Sequence, residues 1–388
     1  MAGKPVCKYG ASCYRKNAEH LQSFSHPHTA NETPSPSSQN ELPESLPAAK
    51  RTKKEDVGVT TQSKTEIASS SGTPELCRKQ IKEQFLVDMP DDFTQFWDLC
   101  KSLDSCHPEL ALMPALNLEL VGPFHVLQGQ LTGVPWQQCV LQDRYFYDPP
   151  EVVTVLRSDD DRGFHLGYFR DDPKSVDCLV VSNCANVDCE FRIEGNNLFS
   201  AVRFLLKNKL QDKSIKKTKR QELEHIESLI KNKAEELHLD MQEPKGLTTK
   251  RNRTINAKCF HKIGLSVPFD KSTEVGYRPL PVTDGELRKI LDRIAACSVE
   301  AKRPSLMEPL QEIVTYVQFA NDECDYGMGL ELGLDLFMHG DQFHSLVLNL
   351  LPLAYELLYR DEYARIIKEH VHHRDRTPLN ICVTFKTV

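Results

Sequence analysis

The chain has 388 residues, of which 40% are hydrophobic and 27% are charged, as in a soluble globular protein of two or three domains. No run approaches the ~18 apolar residues of a membrane-spanning helix, and the first ten residues contain no apolar segment, so we expect no membrane anchor and no secretory signal. The formal net charge of −7 excludes a uniformly basic protein that coats nucleic acid, although it leaves room for local basic patches. The 13 cysteines of such a chain favour reduced thiols or metal ligands in the cytosol or nucleus over a disulfide framework.

Residues 1–28 contain two cysteines and two histidines in the spacing C-x5-C-x6-H-x5-H. Two thiolates and two imidazoles make up a closed tetrahedral zinc site. A segment this short cannot bury a hydrophobic core, so a metal would supply the missing folding energy. His28 is a competing ligand, and a chance cluster in a disordered tail is the alternative interpretation. The proposed zinc ligands are Cys7, Cys13, His20 and His26.

Residues 29–75 are rich in Pro, Ser, Thr, Asn and Glu and contain few large apolar residues. Such a segment cannot offset its ordering entropy by burial, so we predict a disordered linker. The basic run at residues 50–54, KRTKK, is typical of a nuclear import signal, and an ordinary solvated charge run is the alternative.

Residues 76–242 form the next predicted domain, which begins with two short helices. Asp91 or Asp92 is the predicted cap of the second helix, and four residues form its apolar face. These residues are Phe93, Phe96, Trp97 and Cys100. Two longer helices close the domain, one from Asn196 or Asn197 and one from about Lys216 to Leu237.

Five β-branched or aromatic stretches within this domain are separated by Gly, Pro and Asp and predict strands. No helix-length pattern lies between most of them, so we expect a mainly antiparallel sheet. The stretches are LELVGPFHVL, PWQQCVLQDRYFYD, EVVTVLRS, GFHLGYFR and VDCLVVSN.

Residues 243–388 are predicted to be mostly helical. Apolar stripes mark one helix around Leu287–Ile294 and a second around Leu310–Val317, with Pro309 in the first turn of the second. A long helix after Asp341 should be kinked at Pro352. The sequence therefore predicts an α+β protein: a mainly antiparallel sheet domain with flanking helices, a mostly helical C-terminal domain and a small N-terminal zinc finger.

The segment at residues 317–337, VQFANDECDYGMGLELGLDLF, concentrates negative charge where the second of these helices should end. Asp322, Glu323 and Asp325 would lie at a helix C-terminus, where the helix dipole disfavours carboxylates. Three glycines follow, and we predict a permissive loop there. An unfavourable cluster on such a loop is typical of a functional site, and a solvated acidic loop or a salt bridge to a basic patch are the alternatives.

Two basic patches are visible in the sequence. Either patch would suit DNA, nucleosomes or an acidic partner, although most such runs are solvated faces. No aromatic residues are interleaved with the charges in the way that single-strand binding requires. The first consists of Lys213, Lys216, Lys217, Lys219 and Arg220, and the second of Lys250, Arg251 and Arg253.

The stretch CKYGASCYRKNAEHLQSFSHP resembles the poly(ADP-ribose)-binding zinc finger in its ligand spacing, its CYR sequence and its closing HP. Ala18 departs from the pattern, which usually has Pro there. The resemblance implies that Tyr9, Tyr14 and Arg15 contact the polymer. Tyrosine rings can stack on adenine, and a guanidinium can bind a phosphate.

From about Cys77 to Arg376 the chain resembles the histone PARylation factor family, accessory proteins of DNA-damage-activated poly(ADP-ribose) polymerases. The resemblance is carried by FYDPPEV, LGYFRDDP, VGYRPLP and above all TYVQFANDECDYGMGLELGLDLF. It implies that the chain docks on the catalytic domain of a polymerase that itself binds NAD, and that the acceptors are serines of histones and other proteins. It also implies a location in the nucleus, on chromatin at sites of DNA damage.

The same resemblance implies roles for three residues. Glu323 would be the general base that deprotonates the acceptor serine, and Arg278 a residue of the joint site. Asp322 would be either a contact to the polymerase or a neighbour that tunes Glu323. The sequence has no glycine-rich phosphate loop after a strand, so we expect no complete NAD site and no activity of the chain alone. The alternatives are a non-catalytic scaffold that binds poly(ADP-ribose) and a freestanding hydrolase that uses the acidic cluster.

Overall fold

The computed structural model describes residues 74–380, together with Lys4 and Ser25. The continuous stretch belongs to one compact unit, and the two isolated residues belong to another. The predicted zinc ligands, the residues predicted to contact poly(ADP-ribose) and the predicted linker, except for its last two residues, lie outside the described residues. Among the described helices, none has the length and apolarity needed to cross a membrane. The structure describes ten cysteines, and no two of them form a disulfide bond with each other.

The two helices predicted at the start of the sheet domain are present as α1 (Pro74–Phe85) and α2 (Asp91–Leu103). Pro90 occupies the N-cap position of α2 and no side chain caps it, so the predicted capping role of an aspartate is wrong. Asp92 is instead buried, where its carboxylate accepts hydrogen bonds from the Tyr168 hydroxyl at 2.6 Å and the Leu198 N–H at 2.8 Å. This carboxylate therefore joins α2 to the sheet.

An antiparallel sheet confirms the predicted fold class. Its strands pair in chain order, with every neighbouring pair antiparallel, and β3 lies at the centre. The strands are β1 (Leu118–Leu120), β2 (Val152–Ser158), β3 (Phe164–Phe169), β4 (Leu179–Cys184) and β5 (Arg192–Gly195). The short helices around β1 are α3 (Met113–Leu116), α4 (Phe124–Leu127) and α5 (Trp136–Cys139).

Two of the stretches predicted as strands are wrong in whole or in part. PWQQCVLQDRYFYD begins with α5, because Pro135 is followed by a helical turn, and continues as turns. The second half of LELVGPFHVL forms α4 after Gly122, which has a φ of +61°. Proline and glycine interrupt these aromatic segments and favour turns, and this effect outweighs the strand propensity of the aromatic residues.

Two predicted helices follow the sheet as α6 (Leu198–Leu210) and α7 (Lys217–Glu236). Asn197 caps α6 through a reciprocal capping box with Ser200, which explains why the helix begins there. A further short helix, α8 (Pro244–Arg251), follows them and contacts β5.

The C-terminal region is helical, as predicted. Its helices are α9 (Asp284–Ala295), α10 (Arg303–Asp322), α11 (Tyr326–His339), α12 (His344–Leu357) and α13 (Asp361–His373). Pro309 lies inside α10 and not in its first turn, because the helix begins six residues earlier. The glycine-rich segment predicted as a loop is α11, a helix that is buried on every side.

One hydrophobic core extends from α1 through the sheet to α13. Buried hydrogen bonds across it join the helical region to the sheet region. The Tyr355 hydroxyl on α12 contacts both carboxylate oxygens of Glu151 at 2.8 and 3.0 Å. The Tyr363 hydroxyl on α13 donates to the Arg170 carbonyl at 3.0 Å. The helices that carry the candidate site are thereby fixed to the sheet.

Candidate functional site

The acidic cluster lies at a tight junction between α10 and α11. After Asp322, the last residue of α10, the chain reverses through Cys324, which has a left-handed φ of +71°. The Asp325 N–H donates to the Ala320 carbonyl at 2.8 Å, and the Cys324 N–H donates to the Asn321 carbonyl at 3.1 Å. These two bonds form a Schellman motif, which commonly has glycine at the left-handed position. The junction therefore presents Asp322 and Glu323 on the surface and turns Asp325 inward.

Arg278 joins two of the three carboxylates. Its Nη2 contacts the Glu323 carboxylate and lies 3.0 Å from Oδ2 of Asp325. The side chains of Arg278 and Glu323 are 45% and 53% exposed, whereas that of Asp325 is 5% exposed. These contacts raise the pKa of the Arg278 guanidinium. The structure thus brings Arg278 and Glu323 together, with Asp322 next to them in the chain and exposed.

Two glycines allow the turn that carries Arg278 to lie against the junction. The Gly276 N–H donates to the Asp325 carboxylate at 3.0 Å, and the Gly327 N–H donates back to the Gly276 carbonyl at 3.0 Å. Gly276 has a φ of +116°, a conformation that L-residues rarely adopt. A Cβ on Gly327 would lie 2.9 Å from the Tyr277 ring. A side chain at position 327 would therefore separate the turn from the junction.

A buried hydrogen bond below the site was not predicted from the sequence. The Tyr277 hydroxyl donates to the Glu331 carboxylate on α11 at 3.0 Å. Burial raises the pKa of Glu331 to about 7. A charged residue inside the apolar run LELGLDLF is the sequence signal that would have indicated a buried carboxyl with a specific partner.

Two aromatic side chains on α10 precede the junction and were also missed in the sequence. Tyr316 and Phe319 are three residues apart, so they lie on neighbouring turns of the same helix face. They are 45% and 56% exposed, which is unusual for large aromatic side chains. The exposed end of α10 therefore combines apolar surface with negative charge.

The motifs FYDPPEV and LGYFRDDP serve packing and turns. Asp148 is buried and accepts hydrogen bonds from the Thr154 hydroxyl at 2.7 Å and from His165 at 2.9 Å. Asp171 pairs with Arg251 through two contacts of 2.5 and 2.8 Å. Arg251, predicted to belong to a basic surface patch, is therefore held by an internal ion pair.

The N-terminal candidates remain predictions, because they lie outside the described residues. These are the proposed zinc ligands Cys7, Cys13, His20 and His26 and the proposed polymer contacts Tyr9, Tyr14 and Arg15.

Comparison with known proteins yields two family matches. Residues 76–374 match the family model described as Histone PARylation factor 1, and residues 4–29 match the PBZ domain. Curated proteins named Histone PARylation factor 1 are similar over most of their length. The Bos taurus protein is 41% identical over 303 residues, covering 77% of this chain and 87% of the relative. The Mus musculus and Danio rerio proteins are 40% and 39% identical, covering 76% and 78% of this chain and 86% and 87% of the relatives.

Proposed function

The chain belongs to the histone PARylation factor 1 family, and on this premise we propose that it is an accessory factor of a poly(ADP-ribose) polymerase. In this proposal it docks on the catalytic domain of the polymerase and adds residues to an active site that neither protein completes alone. The polymerase binds NAD and this chain does not. The joint site modifies serines of histones and other proteins, in the nucleus at sites of DNA damage.

Glu323 is the proposed general base for the acceptor serine. A serine hydroxyl is a weak nucleophile at neutral pH and needs an adjacent base. The Glu323 carboxylate would take the hydroxyl proton as serine Oγ bonds to C1″ of NAD and the bond to nicotinamide breaks. Such assistance contributes about 10²–10⁴-fold to the rate. The observation that carries the proposal is the exposed position of this carboxylate on a junction fixed by backbone hydrogen bonds.

Arg278 and Asp322 have supporting roles in this proposal. Arg278 holds the Glu323 carboxylate in the isolated chain, and when the partner docks it can bind the diphosphate of NAD instead. Asp325 is buried and keeps the arginine at the site in both states. Asp322, together with the exposed Tyr316 and Phe319, would contact the polymerase, since aromatic residues are enriched in protein interfaces.

The N-terminal finger is proposed to bind poly(ADP-ribose) through Tyr9, Tyr14 and Arg15. Zinc held by two thiolates and two imidazoles would supply the folding energy that this short segment lacks. The match to the PBZ domain supports this role. It also favours the second candidate function, a non-catalytic scaffold recruited to the polymer that its partner makes.

A reconstituted transfer assay separates the two candidates. The reaction contains polymerase, nicked DNA, NAD and a histone tail peptide, with the wild-type chain, the Glu323→Gln variant or the Glu312→Gln variant. Glu312 is an exposed carboxylate on α10, the helix that precedes Glu323, and serves as the matched control. We expect Glu323→Gln to bind the polymerase but to lower the rate of serine modification by about 10²–10⁴-fold, as for the loss of a general base.

Mass spectrometry locates the modified residue, and a reaction without polymerase should show no transfer. If Glu323→Gln supports serine modification as well as Glu312→Gln does, the acidic junction is structural and the scaffold function is favoured. Transfer by the chain alone would contradict the joint active site.

A further inference from the structure

Helix α8 and the turn after it line an open concavity of about 670 Å³ on the sheet side of the molecule. Three cations, Lys245, Lys250 and Arg253, line it. One acidic residue, Glu243, also lines it, and its carboxylate forms an exposed ion pair with Lys207 at 3.3 Å. The remaining lining residues have small or hydroxyl side chains. They are Gly246, Thr249 and Thr254.

The three cations have no partner among the residues that the structure describes. Each is exposed, and none forms a salt bridge or side-chain hydrogen bond there. Arg251, in the same helix, is the contrast: it binds Asp171 and the carbonyls of Ile263 and Gly264 and holds α8 in place. Lys250 on α8 and Arg253 in the turn after it are like charges three residues apart, and like charges this close repel each other. The protein therefore maintains an uncompensated positive surface on a rigidly held helix.

The side chains that line the concavity indicate which kind of negatively charged partner it would bind. It contains no aromatic or aliphatic side chain. A protein partner would need an apolar core in its interface, and a single strand or a polymer with exposed bases would need aromatic rings for stacking. Duplex DNA buries its bases and presents phosphates, which are contacted mainly by lysine, arginine and small polar groups.

We propose that the concave face of α8, through Lys245, Lys250 and Arg253, docks on the sugar–phosphate backbone of duplex DNA. The interaction is independent of sequence, because its contacts are to phosphates, which carry no sequence information. The interaction requires neither the polymerase nor NAD. Its test is therefore independent of the transfer function proposed above.

Fluorescence anisotropy of a labelled duplex of about 20 base pairs tests this proposal with the full chain across a salt series. One variant carries Lys245→Gln, Lys250→Gln and Arg253→Gln. The matched control carries Lys79→Gln, Lys101→Gln and Lys368→Gln, which remove the same charge from exposed positions outside both basic patches. Circular dichroism melting confirms that both variants fold.

For the α8 variant, we expect the slope of log affinity against log salt concentration to become shallower by about 2.7, or about 0.9 for each of the three phosphates that is no longer neutralised. Between 50 and 200 mM salt, wild-type affinity should therefore fall about 40-fold more than that of the α8 variant. The control variant should keep the wild-type slope.

Three results would overturn the proposal. The first is equal loss of affinity in the α8 and control variants, which would indicate an effect of net charge alone. The second is no binding of the duplex by the wild-type chain at 50 mM salt. The third appears in a parallel titration with poly(ADP-ribose): if the α8 variant loses polymer binding but keeps duplex binding, this face serves the polymer.

Discussion

Single buried carboxyl groups determine how the candidate site is held. Asp325 is the clearest case, because it is the residue that both the Arg278 guanidinium and the Gly276 N–H contact. Glu323 carries the proposed chemistry, but its position depends on this buried neighbour. Glu331 has a comparable role further along α11, where it accepts a hydrogen bond from Tyr277.

Glu331 gives a prediction for the pH dependence of stability. In the folded protein its pKa is about 7, whereas its value in the unfolded chain is near 4.5. Between these values the folded state binds more protons than the unfolded state, so the free energy of unfolding falls as pH rises, by up to about 1.4 kcal/mol per pH unit. Glu331→Gln keeps a hydrogen-bond acceptor for Tyr277 but cannot ionise. We therefore expect the stability of this variant to lack the pH dependence that Glu331 contributes.

Urea unfolding between pH 4.5 and 8 measures the effect. Relative to the wild type, Glu331→Gln should gain stability from pH 4.5 to about 7 and then level off. Glu312→Gln, an exposed carboxylate, is the control and should follow the wild type. Parallel curves for Glu331→Gln and wild type would mean that Glu331 is ionised in the fold.

At the scale of elements, helices α11 and α12 pack so closely at one position that there is no space for a side chain. A Cβ on Gly333 would lie 2.5 Å from the Leu351 side chain on α12. We expect Gly333→Ala to lower the free energy of unfolding by about 1–3 kcal/mol, because overpacking outweighs the better helix propensity of alanine. Gly285→Ala in α9 is the matched control, since nothing lies within 4 Å of its Cβ, and it should raise stability by up to about 1 kcal/mol. Denaturant titration measures both, and a gain in both variants would contradict close packing at Gly333.

The helices also show which elements can be predicted from sequence patterns alone. Helix α9 was predictable because Leu287, Ile290, Leu291 and Ile294 form one apolar face and Thr283 caps it. Helix α11 was missed because it is buried on all sides, so its sequence lacks the polar face that produces a helical period. Its glycines, which allow close packing, were interpreted as signs of a loop. The aromatic segment around α5 has a high strand propensity, but Pro135 starts a helical turn there, so propensity alone predicts the wrong structure.

The candidate site was only partly predictable. The residues themselves indicated three neighbouring carboxylates, and the family resemblance implied the roles of Glu323, Asp322 and Arg278. The sequence could not show that Arg278, 45 residues before Glu323, bridges it to Asp325. That bridge depends on backbone hydrogen bonds between two distant turns, which leave no local pattern in the sequence.

For the whole molecule, the division into two compact units predicts separate responses to metal removal. The described residues contain no cluster of three or more side chains suited to a metal ion, and they have their own hydrophobic core. We expect a chelator to abolish poly(ADP-ribose) binding, because a zinc finger unfolds without its metal. The main unfolding transition and serine transfer with the polymerase should persist.

Calorimetry and polymer binding, each with and without chelator, check this expectation, and re-added zinc is the control. Loss of the main transition would mean that a metal stabilises the larger unit. Polymer binding that survives chelation would exclude the zinc-dependent finger as its source.

The paired glycines at the junction limit how the candidate site could be moved to another scaffold. A peptide copied from residues 317–337 would contain Glu323 but would lack Arg278 and the turn that presents it. A graft must therefore carry two distant stretches and keep a glycine at position 327, so that Tyr277 can approach. A search of other sequences for this site should likewise require V-G-Y-R and D-E-C-D together, since either tetrapeptide alone specifies only half of the geometry.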